Sequence, residues 1–215
     1  MTKKLFWENP YQTSNETRIA SVKGSIVTLD ETIFYAFSGG QESDYGTIAG
    51  HPILEARKVG KEIEYTLPDA HNLREGDRVT VQVDWDRRYK LMRLHFAAEL
   101  VLELFYRRLA DVRKIGAHIA EDKARIDFEW PESISPLLPE IVKEANAIIE
   151  SDVEIISAFS NVADEKRYWK IANFAEVPCG GTHLRRTGEV GALRLKRNNI
   201  GKGKERVEIY LIQNE

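Results

Sequence analysis

Asp84-Trp85-Asp86-Arg87-Arg88-Tyr89-Lys90-Leu91-Met92-Arg93-Leu94-His95-Phe96-Ala97-Ala98-Glu99-Leu100-Val101-Leu102-Glu103-Leu104-Phe105-Tyr106-Arg107-Arg108-Leu109 contains neither glycine nor proline and is rich in Leu, Arg, Glu and Ala. Straight-chain residues lose little rotamer freedom in a helix, so this run predicts one long helix from Trp85 to Leu109. Asp84 is placed to be its N-cap, accepting from an otherwise unpaired N–H of the first turn. Leu91, Leu94, Ala98, Leu102 and Phe105 recur at helical spacing as an apolar stripe. His95 and Glu99 are four apart, so they project from one face, one turn from each other.

Upstream of the helix the pattern is different. Ile19–Gly24, Ser25–Asp30, Thr32–Tyr35, Thr47–Ala49, Ile53–Ala56, Glu62–Leu67 and Arg78–Val83 are short β-branched and aromatic runs between turn formers. That spacing predicts a small barrel or sandwich. Downstream, Ile115–Ile119 and Ala124–Phe128 read as a hairpin turning at Glu121-Asp122-Lys123, and Leu138 to Glu150 as a second helix. Val153–Phe159, Tyr168–Asn173, Gly188–Leu195 and Arg206–Ile212 read as further strands. The shift in composition near residue 84 predicts two domains, 1–84 and 85–215. The fold class expected is α+β: a β-barrel-like domain, then an α/β domain with the long helix packed on an antiparallel sheet.

The 215 residues suffice for one large or two small cores. With 42% hydrophobic and 30% charged residues the composition is that of a soluble globular protein. No apolar run approaches a membrane span, and Met1–Pro10 has no apolar stretch of a secretory signal. One cysteine cannot form an internal disulfide, which fits a reducing cytoplasm. The net charge of -3 argues against a generally basic nucleic-acid binder but leaves room for a local basic face.

That lone cysteine lies in Cys179-Gly180-Gly181-Thr182-His183. Thiolate and neutral imidazole both suit a borderline-soft metal, and the two glycines allow a tight turn that brings both to one point. A zinc site takes at least three protein ligands. The helical pair His95 and Glu99 supplies candidates for the rest, giving the set His95, Glu99, Cys179 and His183. Separately, each half is also compatible with plain roles: core or surface histidine, solvated glutamate, buried cysteine.

Together these residues resemble the aminoacyl-tRNA editing domain shared by alanyl- and threonyl-tRNA synthetases, which carries His-x-x-x-His on a helix and Cys-x-x-x-His downstream, holding zinc. Further stretches match in order. Phe34–Gly46 resembles the family's glycine-rich FYPGGGGQPSDTG stretch, Ile115–Ile119 with Ala124–Phe128 its GSHV and ARIDF hairpin, and Thr187–Gly191 its TGEIG strand. The leading glycine-rich region points to the alanyl side, and the length to free-standing editing proteins of the AlaX type. The resemblance implies a zinc-dependent hydrolase acting on alanine tRNA that carries serine or glycine at its 3′ end. It implies Gln41 as a reader of the substrate, with a lesser part for Ser38. Thr182, with the backbone of Gly180 and Gly181, is a candidate oxyanion cradle, and His118 reads as structural rather than catalytic, with a supporting role behind the metal ligands left open. The chain departs from the pattern at Ala36, Phe37, Ser38 and Glu42, and above all at Glu99, where the family has histidine. Carboxylate oxygen binds zinc at about 2.0–2.2 Å, so Glu99 reads as a ligand, as a catalytic base, or as the mark of a lost metal. The alternatives in function are a tRNA-binding relative without catalysis and a hydrolase of another ester.

A tRNA partner needs positive charge. Between residues 185 and 206 stand Arg185, Arg186, Arg194, Lys196, Arg197, Lys202, Lys204 and Arg206 against Glu189 and Glu205. Arg185, Arg186, Lys196, Arg197, Lys202 and Lys204 are the RNA contacts expected, where lysine and arginine displace counterions from phosphates.

Overall fold

A computed structural model describes residues 1–212. It is a mixed α/β structure with two α-helices among the described residues and mostly antiparallel sheets. No helix among them is long and apolar enough to cross a membrane. The chain condenses into two compact units. One comprises Met1–Ser38 and Glu42–Tyr89; the other comprises Gly39–Gln41 and the chain from Lys90 onward.

In the first unit seven strands pair in the order 51–52, 46–48, 78–83, 14–23, 26–29, 62–66, 55–59. The ten-residue strand Ser14–Lys23 makes this strip bend. Its first half pairs with 78–83, its second with 26–29, and its register breaks between Ile19 and Ser21. Such a bulge increases the local twist. The two edge strands, His51–Pro52 and Glu55–Val59, are consecutive in the chain, so the strip curls back as a half-barrel. Val27, Ile33, Ile48, Tyr65 and Val81 fill its interior. The strand expected over Thr32–Tyr35 stops at Thr32. Side chains take the hydrogen bonds a ladder would use: Phe34 N–H donates to Thr32 Oγ1 (3.0 Å) and Tyr35 N–H to Asp44 Oδ2 (2.6 Å). Asp44 also receives the guanidinium of fully buried Arg88, at 2.6 Å from Nε to Oδ1 and again from Nη2. Arg88 further donates to the carbonyls of Pro10 (3.0 Å) and Ile33 (2.7 Å).

The long helix α1 (Trp85–Arg108) forms as its composition predicts, and Asp84 Oδ1 accepts from Arg87 N–H at 3.1 Å as its cap. Beyond Tyr89 the helix belongs to the second unit. There a four-stranded antiparallel sheet runs in the order 113–119, 124–129, 204–211, 193–199. Phe105 of α1 packs on Phe128 of this sheet, ring centroids 4.9 Å apart. Helix α2 (Leu138–Glu150) is tied to the edge strand by Asn146, whose amide donates to the carbonyl and accepts from the N–H of Leu193. A second sheet orders 156–161, 166–171 and 175–178, and its Trp169 stands edge-on to Phe96 of α1 at 5.2 Å. Two expected strands are shortened. Gly188–Leu195 begins instead as a 3-10 turn, Thr187–Val190, because Glu189 Oε1 accepts from the N–H groups of Arg185 and Arg186 and winds the backbone up; the strand starts at Leu193. Val153–Phe159 becomes a strand only at Ile156, Val153 N–H being spent on Thr187 Oγ1.

Candidate metal centre

The site is built within the second unit from three segments. Helix α1 supplies His95 and Glu99. Cys179 follows directly on the strand 175–178, its N–H held by the Arg167 carbonyl at 2.9 Å. Gly39–Gln41 reaches the edge of strand 113–119, where Gln41 bridges in parallel to Ile119 and Ile119 N–H donates to the Gly40 carbonyl at 2.8 Å. Gly40 is required there: its φ is +88°, and a Cβ would lie 2.5 Å from the Ala117 carbonyl oxygen.

His95, Cys179 and His183 bring their donor atoms within 4.8 Å of one another. His95 Nε2 is 3.3 Å from Cys179 Sγ. The tetrahedral zinc bonds of such donors imply edges of about 3.3–3.8 Å. Both imidazoles are oriented through their other nitrogen. His95 Nδ1 meets Gln41 Oε1 at 2.5 Å, and His183 Nδ1 meets Ser157 Oγ at 2.9 Å. That is the outer partner a metal-bound imidazole keeps. His183 Nε2 is buried with no hydrogen-bond partner among the described residues. An orphaned buried nitrogen costs free energy, and a metal ion is a partner that would satisfy it. Glu99 stands beside this set rather than within it. Its Oε1 is 3.6 Å from His95 Nε2 and 3.9 Å from Cys179 Sγ, and its Oε2 accepts from Trp169 Nε1 at 3.1 Å.

Charge in the pocket fits a cation. Burial disfavours charge on His95, but the Cys179 sulfur and Glu99 outweigh it and raise the imidazole to about 10. Glu99 is held below the usual carboxylate range because bonds from His95 and Trp169 override burial. Burial, then the charges of His95 and Arg167, keep His183 neutral, the form that donates a lone pair to a metal. The donor set thus fits zinc by atom type and by convergence, and a bound cation would take the place of the proton that the Cys179 sulfur and Glu99 favour on His95.

Thr182, fully buried, joins this network: its Oγ1 accepts from Gln41 Nε2 at 2.9 Å. The first reason for glycine in the loop is not a turn. A Cβ on Gly181 would lie 1.8 Å from His95 Cε1, so the loop backbone runs directly against the imidazole, while a Cβ on Gly180 would meet nothing within 4 Å. Gly181→Ala is therefore expected to push the ring or the loop aside, costing about 1–3 kcal/mol in stability and at least about tenfold in metal affinity. Thermal unfolding and a zinc competition titration measure the two.

Of the other expected site residues, Ser38 is half-buried in the first unit and His118 faces Arg125 across the hairpin. The expected RNA contacts are not equivalent. Arg186 donates through Nε to Asp152 at 2.7 Å, and Arg197 grips Glu205 with two bonds of 2.5 Å. Arg185, Lys196, Lys202 and Lys204 are exposed. Sequence reasoning missed Ser157 and Trp169, which hold His183 and Glu99. They sit opposite each other on neighbouring strands, a pairing set by register that carries no local motif; only the alternation of buried Arg167, Trp169 and Ile171 hints at an inward face.

Residues 170–208 match the model of the threonyl and alanyl tRNA synthetase second additional domain. The chain is 32% identical to the alanyl-tRNA editing protein AlaX-M of Pyrococcus horikoshii, over 98% of each chain. It is 31% identical to AlaX-M of Saccharolobus solfataricus, over 96% of this chain and 98% of that one. It is also 32% identical to the alanine–tRNA ligase of Methanococcus aeolicus, over 96% of this chain but 25% of the ligase.

Proposed function

The chain belongs to the family of AlaX-M alanyl-tRNA editing proteins, and on that premise we propose that it is a zinc-dependent hydrolase that clears serine or glycine from the 3′ end of mischarged alanine tRNA, acting in trans. In this reading residues 85–215 form the editing domain and 1–84 an accessory β-domain. The observation that carries it is the convergence of His95 Nε2, Cys179 Sγ and the orphaned His183 Nε2. Zinc held by His95, Cys179 and His183 would supply Lewis acidity to the ester carbonyl or to a water.

The protein's own side chains divide the remaining work. Gln41 fixes the His95 ring through Oε1 and Thr182 through Nε2. Thr182 Oγ1, already an acceptor, keeps its proton for a substrate oxygen, where hydrogen bonds to developing charge lower the barrier. Glu99 is anchored at one oxygen by Trp169, so the other is held at the donor set, either to take a proton from water or to serve as a fourth ligand. Exposed lysines and arginines of residues 185–206 bind the tRNA.

A metal-free tRNA-binding protein is the second reading, favoured by the closed contacts among His95, Cys179 and Glu99. Metal analysis of the purified protein, with deacylation of seryl-, glycyl- and correctly charged alanine tRNA, tests both. Bound zinc with release of serine or glycine but not alanine is expected; no release with zinc present rejects the hydrolase. Substitution at Glu99 separates its two roles. Glu99→His is expected to keep or tighten zinc. Glu99→Ala is expected to weaken zinc if the carboxylate is a ligand, and to slow turnover about 10²–10⁴-fold at full metal content if it is a base.

A further inference from the structure

The four-stranded sheet of the second unit has one face under α1, where Ala124, Ile126, Phe128, Val207 and Ile209 are buried. The opposite face is polar. Cross-strand pairing places Lys196, Glu208 and Arg125 in one row, Asn198, Arg206 and Asp127 in the next, and Arg194 beside Tyr210. Directly opposed residues share a face. A third row sets exposed Glu129 between Arg113 and Lys204, whereas the other two acids of this face are buried and its cations are not. Glu208 is 6% exposed, covered by Lys123 Nζ (2.7 Å) and the Tyr210 hydroxyl (3.0 Å). Asp127 is 8% exposed, gripped by Arg206 at 2.6 and 2.9 Å and by Arg125. Arg194 and Lys196 stand exposed on the edge strand. With that third row included, seven cations overlie three carboxylates, an excess of four positive charges on a chain whose net charge is -3.

From this we infer that the polar face of the four-stranded sheet, led by Arg194, Lys196 and Arg206, is the docking surface for the duplex stem of the tRNA. The inference rests on the proposed function for its substrate and divides the cations of residues 185–206 by the face of the sheet they stand on. Arg197 points to the other face and is neutralised by Glu205, whereas Arg125 and Lys123, outside that cluster, join the surface. The partner is duplex rather than single-stranded RNA. Single strands are read by stacking on open aromatic faces, and the rings of this face are not open: Tyr210 is covered by the Arg194 guanidinium at 4.0 Å, with Lys123 Nζ 5.8 Å from its centroid, and His118, opposite Arg125, is half-buried. A grid of cations suits a phosphate backbone. The geometry also gives direction. Arg194 and Lys196 occupy one edge of the sheet, and strand 113–119, where Gln41 is pinned, occupies the other, about 14 Å away at ~4.8 Å per strand. A stem lying across the strands would carry its 3′ end toward Gln41.

The test is binding of uncharged alanine tRNA, which needs no catalysis. Arg194→Gln with Lys196→Gln is expected to weaken binding about tenfold, and to flatten the dependence of log affinity on log salt by about two. A charge-matched control, Lys23→Gln with Lys143→Gln, is expected to change neither. Unchanged affinity and salt slope in the Arg194/Lys196 variant would overturn the inference, as would equal weakening in the control. A duplex hairpin of the acceptor stem should compete with tRNA; equal competition by a single-stranded oligonucleotide of the same length overturns the duplex assignment. Binding that depends on this face in a protein that releases no amino acid supports the surface and counts against the proposed function.

Discussion

Cys179→Ala is expected to remove zinc and deacylase activity together while the protein stays folded. Cys179 is partly exposed and its loop is held by backbone bonds that do not involve sulfur, such as that from its own N–H to Arg167. Deleting the thiol leaves two imidazoles, which reach the three ligands a zinc site takes from protein only if Glu99 turns from its bond with Trp169 to join them. The loss should exceed the ~10–100-fold that follows removal of a mere supporting partner. The checks are metal-to-protein stoichiometry, release of serine from mischarged alanine tRNA, and the thermal midpoint. Retained metal with lost activity would make Cys179 a nucleophile or substrate contact instead of a ligand. Retained activity would remove the metal centre from the mechanism.

Arg88→Ala is expected to be the most damaging substitution for stability, at about 3–5 kcal/mol, because it strands a buried charge. Asp44 has no exposed side-chain surface, and its oxygens are satisfied by Arg88 and the Tyr35 N–H. Removing the guanidinium also orphans the carbonyls of Pro10 and Ile33. Urea unfolding measures the difference. Pairing the change with Asp44→Asn should recover part of it, since the uncompensated charge goes; no recovery would show that the carbonyl bonds dominate.

Much of the architecture was legible in the chain. The helix from Trp85 shows because a long run without glycine or proline has one low-energy backbone, and the 124–129 hairpin arm shows because β-branched and aromatic residues alternate there. His95, Cys179 and His183 were legible as ligand types at ligand spacing. What escaped depends on partners distant in sequence. Thr187–Val190 has strand-like neighbours, yet one carboxylate, Glu189, winds it into a turn. Arg186 and Arg197 look available until Asp152 and Glu205 arrive by tertiary contact. Glu99 resembles a substituted ligand in sequence; the Trp169 bond that claims one of its oxygens comes from a strand 70 residues away. Gly181 reads as a hinge, but what it avoids is a ring on another element.

The three residues Gly39–Gln41 belong to the second unit while Ser38 and Glu42 on either side belong to the first. The second unit's own bonds hold this segment: Ile119 N–H grips the Gly40 carbonyl, and Thr182 Oγ1 takes the Gln41 amide. The acceptor that orients His95 is thus a graft, a residue lent by an upstream stretch of chain and rooted in strand 113–119 and the loop after Cys179.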